Sequence, residues 1–327
     1  MCRFLRRRER RMILNTGGRT DTVQYFSEWL LQRFKEGVVF SRNPLFPGKV
    51  TRYELNPDKI DCVLFCSKNY APILPRLHEI SDLYRTYFFY TITAYGTDME
   101  PGVPSIDESC DTLLALEKLV GRKKIVWRYD PVLLTKKYTV QKHAITFEHL
   151  CARLHGHVDR CVFSFVELYK KLQFNMPELC VPTDAELDAL AETLGGIAQK
   201  YRIPLQTCAS RADYSRYGIS AGACVTLSAL GKANGVHFRN LAHKGMRKNC
   251  GCMVSHDIGA YDTCINGCRY CYANQNPQKA KDNFRLCNPH SPILLGELKA
   301  TDIIVPGDQR SFVQKPMPPA SGQIPLF

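Results

Sequence analysis

The sequence predicts an α/β fold, a partial (β/α)6-type TIM-like barrel with a cysteine-rich extension at its carboxyl end. Three observations predict it. Short β-rich runs alternate with longer helical patterns, polar side chains collect just after those runs, and six cysteines crowd into residues 250–287. A chain of 327 residues with 45% hydrophobic residues can bury a sizeable core, as one large domain with an appendage or as two modest domains. Disorder is excluded as the main state. No run approaches the roughly 18 apolar residues that a membrane-spanning helix needs, so no membrane partner is expected.

The chain opens on "MCRFLRRRERR", with six Arg in eleven residues. No apolar stretch or small-residue cleavage site follows, so the segment fails as a secretory signal and a cytoplasmic location is expected. Residues 1–11 read as a basic, unstructured extension ahead of a natural start at Met12. Without them the net charge falls from +13 to +8. Residues 231–286 carry nine Lys/Arg against three Asp. That balance is compatible with a nucleic-acid partner, but the simpler reading is a solvated surface, because no helix shows a continuous basic face.

Residues 12–244 read as the barrel. Candidate strands are "MILNTG", "DCVLFC", "TYFFYTITAY", "KKIVWRYD", "RCVFSFVELY" and "IPLQTCAS". Between them, apolar residues at three- and four-residue spacing predict helices over Val23 to Lys35, Ala71 to Ser81, Ser105 to Leu119, Thr146 to His155 and Asp184 to Tyr201. Repeated strand–helix units give a parallel sheet with right-handed crossovers. Six units fit a doubly wound sheet as well as a partial barrel, and the strand ends favour the barrel. Arg19 and Asp21, Lys68 and Asn69, Glu100, Arg128 and Asp130, Glu167, and Ser210 and Arg211 each follow one of the six runs. In a barrel such positions converge on the mouth at which barrel enzymes keep their active sites. Each also has a local reading: Asp21 as a helix cap, and Arg128 with Asp130 as a pair holding the loop before Pro131.

Residues 245–290, dense in Cys, Gly, Asn and Asp, read as a ligand-organised, cluster-binding segment. Residues 291–327, with six prolines, read as an extended tail. Fifteen cysteines, an odd number, argue against a disulfide framework in a reducing compartment and for metal or redox centres. Cys62, Cys110, Cys151 and Cys161 sit in apolar surroundings and read as small buried hydrophobes. "CINGCRYC" sets Cys264, Cys268 and Cys271 at C-x3-C-x2-C spacing, so that three thiolates can point at three corners of one 4Fe-4S cluster. Gly267 permits the tight wrap. Cys250 and Cys252 leave alternatives open. They can bind a second cluster with Cys208, Cys224 or Cys287, or supply a fourth ligand to the first. A closed iron–sulfur or zinc site of four thiolates would make the protein structural or redox-active rather than catalytic.

"CINGCRYCY" resembles the C-x3-C-x-aromatic-C signature of the radical S-adenosylmethionine superfamily, with Tyr270 as the aromatic residue, and "CRYCY" is similar to the spore photoproduct lyase branch. That resemblance implies an iron open to S-adenosylmethionine, a 5′-deoxyadenosyl radical, and an electron donor such as a ferredoxin or flavodoxin. The superfamily carries its motif after the first strand, whereas here it follows all six strand candidates, as in a circularly permuted barrel. No Gly-Gly-Glu-type segment for the cofactor's amine is evident.

Along most of its length the chain resembles an uncharacterised bacterial family with a cysteine-rich carboxyl end. The resemblance runs through "GGRTDTVQYFSEWLLQRF", "LFCSKN", "TITAYGTDMEPGVP", "WRYDP", "FSFVELY" and "CGCMVSHDIGAYDTCINGCRYCYAN". It implies a cluster-binding protein. It also implies acidic residues two positions after Cys208 and Cys224, where this chain has Ser210 and Thr226. The expected binders of cofactor and substrate are Arg19, Asp21, Lys68, Glu100, Arg128 and Asp130, whose mixed signs suit a zwitterion.

Overall fold

A computed structural model describes residues 12–210, 212–238, 250–253, 255–309 and 311–313. The basic extension over residues 1–11 and the expected strand-end Arg211 lie outside the described residues.

The six expected strands are present as β1 (Met12–Asn15), β4 (Ile60–Ser67), β5 (Thr86–Thr91), β6 (Ile125–Val132), β7 (Arg160–Phe165) and β8 (Leu205–Cys208). They pair in parallel, each beside the next. Two further strands extend this sheet to eight. β9 (Ile219–Gly222) adds in parallel beyond β8, and β10 (His256–Asp257) adds in parallel to the outer edge of β1. The strand order is therefore β10-β1-β4-β5-β6-β7-β8-β9.

β4 and β5 are buried on both faces, as near-continuous apolar runs in a parallel sheet should be. One face packs against helices. Met12, Leu14, Val63, Phe65, Phe88, Tyr90, Trp127 and Phe163 meet α2 (Ser27–Glu36), α4 (Ile106–Val120), α5 (Val140–Leu154) and α7 (Asp184–Lys200) in one apolar core. Phe147 of α5 stacks on Trp127 with ring centroids 5.0 Å apart. The alternate side chains, among them Ile13, Cys62, Leu64, Tyr87, Phe89, Val126 and Val162, form a second core on the opposite face. Its amino-terminal end is covered by α8 (Leu227–Asn234), through Leu227 and Leu230. Toward the carboxyl ends the same face turns polar, with Arg128, Asp130 and Ser164 bonded to one another.

Two shorter, half-buried runs form an antiparallel hairpin, β2 (Val38–Arg42) with β3 (Lys49–Glu54). Within the stretch read as a tail, β11 (Ile303–Pro306) pairs in parallel with β3. Arg42 reaches both carboxylate oxygens of Asp302, at 2.5 and 2.8 Å, beside that pairing. The first expected helix is split into α1 (Thr22–Tyr25) and α2, and the second shortens to a 3-10 turn and α3 (His78–Ser81). Among the described residues no helix is long and apolar enough to cross a membrane.

Candidate metal centres

Cys264, Cys268 and Cys271 lie on the loop between β10 and α9 (Pro277–Arg285), and four other loops hold that loop in place. After β1, Tyr25 donates to the side-chain oxygen of Asn266 at 2.9 Å, and the Asn266 amide lies 3.5 Å from Asp21. After β5, the Gly102 amide donates to the Asn266 carbonyl and the Met99 carbonyl accepts from the Arg269 amide, at 2.9 and 3.0 Å. After β7, Lys171 of α6 (Lys170–Asn175) donates to the carbonyls of Cys271, at 2.6 Å, and Asn274. After β4, Lys68 lies over the Tyr270 ring, 5.8 Å from its centroid. The loop bonds itself through Asn274, which donates to the Cys264 carbonyl at 2.6 Å. Gly267 takes a φ of +68°, a left-handed turn between the first two cysteines that only glycine adopts without strain.

Of the expected site residues, Asp21, Lys68 and Glu100 gather here. Glu100 is buried and accepts from Lys68 at 2.9 Å, from Thr93 at 2.8 Å and from the Tyr270 hydroxyl. Burial opposes the Lys68 charge, yet the Glu100 carboxylate, with Cys268 and Asp130 adding to it, holds the ammonium above its usual range. Asp21 caps α1 at the Gln24 amide and also accepts from Ser67 and from the Lys68 amide. Its burial still raises its carboxyl. Lys68 and Glu100 thus satisfy each other, while Asp21 is satisfied by Ser67 and backbone amides. Burial also pushes the Cys264 thiol up to about 12 and raises Cys268, so both sulfurs favour the protonated form until a cation offsets the missing water.

The three cysteines line one cavity of about 250 Å³ together with Lys171, Arg269 and Asn274, and no fourth cysteine lines it among the described residues. Their sulfurs do not fall within the 4.8 Å mutual separation that marks a second group. That second group is Cys208, Cys224 and Cys252, which can hold a metal ion. Cys208 ends β8, Cys224 follows β9 and Cys252 precedes β10. Arg160 donates to the Cys224 carbonyl at 2.8 Å and Gln206 to the Ala223 carbonyl at 2.7 Å, fixing the loop after β9. The Met253 amide bonds the Val225 carbonyl at 3.2 Å. The Cys224 and Cys252 thiols donate toward Cys208, and with Arg128 nearby they draw its thiol well below the usual range. Cys250 packs against the same apolar group.

Arg128 also lies on this face. It donates to Cys66 at 3.4 Å and to Asp130, while its buried Nε has no partner. Arg19 turns to the sheet edge, 3.9 Å from Asp257 of β10. Cys287 lies elsewhere, packed on the helix-covered core beside Phe284, and so joins neither group. Ser210 and Thr226 stay local: Ser210 bonds Ala212, and Thr226 caps α8 at the Ala229 amide. Sequence reasoning passed over Tyr25 and Lys171, two of the side chains that clamp the cysteine loop. Nothing in "TVQYF" or "LYKKL" marks them, because both act on backbone or amide groups supplied from far along the chain.

A profile described as domain of unknown function DUF1848 matches residues 13–273, which include both cysteine groups. The chain belongs to the DUF1848 family. No curated protein matches it. Among solved structures it is similar to a Bacteroides thetaiotaomicron VPI-5482 protein whose crystal structure carries the name of an alpha-L-fucosidase. The identity is 12% and the TM-score 0.28, over 69% of this chain and 81% of that one. A likeness that weak carries no argument about the DUF1848 fold or its chemistry.

Proposed function

We propose that this chain is a cytoplasmic iron–sulfur protein of the radical S-adenosylmethionine-like type, with Cys264, Cys268 and Cys271 as ligands of a 4Fe-4S cluster that keeps one iron free of protein. The observation that carries this reading is the cavity lined by those three cysteines and no fourth among the described residues. The donor set fits the group: three thiols on one glycine-turned loop that line one cavity without all lying within 4.8 Å of one another, as suits thiolates on different irons. When bound, the cluster supplies the electron that cleaves S-adenosylmethionine to a 5′-deoxyadenosyl radical able to take hydrogen from a substrate.

The chain's own residues divide the remaining work. Lys68, Glu100 and Asp21 are positioning residues, holding Tyr270 and Asn266 so that the loop keeps one shape. Arg128, with its unpartnered Nε, and Asp130 stand on the polar end of the inner face, where a carboxylate and an amine would find partners of opposite sign. The sheet supports a barrel reading of this face. Its order is compatible with an eight-stranded barrel cut between β9 and β10, in which the cysteine loop would lie over the strand ends.

Anaerobic reconstitution of the full chain, followed by dithionite and S-adenosylmethionine, tests the proposal. It expects 5′-deoxyadenosine from the native chain and none from a C264A/C268A/C271A chain. A native chain with full iron and sulfide that yields no 5′-deoxyadenosine, and whose paramagnetic spectrum S-adenosylmethionine leaves unchanged, has a closed redox or structural cluster instead.

A further inference from the structure

The two cysteine groups differ in how tightly their sulfurs cluster, and that difference separates two kinds of metal site. Four thiolates on one tetrahedral zinc at about 2.3 Å must approach one another to about 3.8 Å. A cubane spreads its thiolates wider, because each binds a different iron. The Sγ atoms of Cys208, Cys224 and Cys252 all lie within 4.8 Å of one another, whereas those of the C-x3-C-x2-C loop do not.

We propose that Cys208, Cys224 and Cys252 form a second, mononuclear site for a zinc-class divalent ion, with Cys250 as its fourth ligand. Cys250 stands two residues from Cys252 and packs on the same apolar group; its sulfur does not lie within 4.8 Å of all three others, so it joins the ion by turning its side chain inward. Four thiolates on a divalent ion leave a net charge of −2. The Arg128 guanidinium, bonded to Cys66 and to Asp130 and set near Cys208 and Cys224, offsets part of that charge.

The place of the site in the topology gives its role. Cys208 ends β8 and Cys224 leaves β9, at one edge of the sheet. Cys250 and Cys252 lead into β10, at the other edge. Among the described residues no ladder joins β9 to β10, and one backbone hydrogen bond, Met253 to Val225, crosses between the segments. The ion joins the two edges where strand pairing does not, and so sets where the following Cys264–Cys271 loop begins.

The full chain, purified anaerobically, is assayed for zinc, iron and acid-labile sulfide. One zinc per chain is expected beside the cluster. The C264S/C268S/C271S chain should lose its iron and sulfide and keep its zinc, while C208S and C250S should each lose zinc and keep sulfide. Iron with sulfide persisting in the triple variant places a cluster at this site and overturns the proposal, as does iron without sulfide in place of zinc, or zinc retained by C208S or C250S. Should C208S fail to fold, cobalt(II) added to the zinc-stripped triple variant must give a thiolate charge-transfer band that zinc removes. A missing band overturns the proposal too. Failure of the radical-enzyme reading looks different, as a zinc-bearing native chain without iron, or one with both metals and no 5′-deoxyadenosine.

Discussion

Glu100 meets an ammonium, a hydroxyl and a phenol while almost wholly out of water, so its three donors stand or fall together. Lys68→Met removes the ammonium and leaves a buried carboxylate short of its counter-charge. The expected loss is about 3–5 kcal/mol of unfolding free energy, read by urea denaturation, and the Lys68→Met/Glu100→Gln double variant should recover part of it. His143 gives a pH dependence. Its ring is buried between the Tyr129 hydroxyl and the Leu133 carbonyl, and burial lowers its pKa below the usual 6.5. The unfolded chain therefore binds a proton that the folded chain refuses, so the stability His143 contributes is present above pH 6.5 and is lost as pH falls through the lowered folded value. His143→Gln should flatten that slope by about one proton between pH 7.5 and 5.5, seen in urea midpoints. Lys68, Glu100 and Asp21 were legible as strand-end polar residues, and so was the cysteine loop, from spacing alone. That Lys68 and Glu100 are spent on each other, and Asp21 on Ser67 and backbone amides, was not legible, because pairing depends on distances between loops that no local pattern encodes.

At the scale of elements, the cysteine loop turns on one backbone angle. Gly267→Ala asks an L-residue to hold φ near +68° and sets a methyl 2.9 Å from Pro101, against a left-handed cost of about 1–2 kcal/mol. Because the strain is local, the expected outcome is a folded chain by far-UV circular dichroism with clearly less iron per chain. Unchanged iron would show that the loop accepts another shape. The helices α4 and α7 follow their periodicity closely, since each carries a capping box and one apolar face. β9 and β10 escaped the sequence reading for a physical reason. β9 exposes three of its four residues and β10 is two residues long, so neither shows the buried run that marked the other six strands. Of the hairpin, β2 carries the alternation of a half-buried strand and β3 does not.

Across the whole molecule the sheet and the metal-bearing segments are separable in stability. β4 through β7 are buried on both sides by side chains alone, while residues 250–290 rest on thiols, loop contacts and a two-residue strand. Stripping metal with a chelator should raise amide hydrogen exchange over residues 255–290 and leave β4–β7 protected, measured peptide by peptide. Loss of protection across the entire sheet would show instead that metal and core unfold as one unit.

The pairing of β1 with β10 sets an order on synthesis. Residues 12–15 emerge from the ribosome some 240 positions before their partner strand. Seven strands and their helices can collapse while the outer edge of β1 stays bare, and the last thiols reach a surface that already exists. A maturation factor delivering iron or zinc would then meet a nearly finished protein, and loading would be a late checkpoint that a nascent chain passes only once its framework is sound.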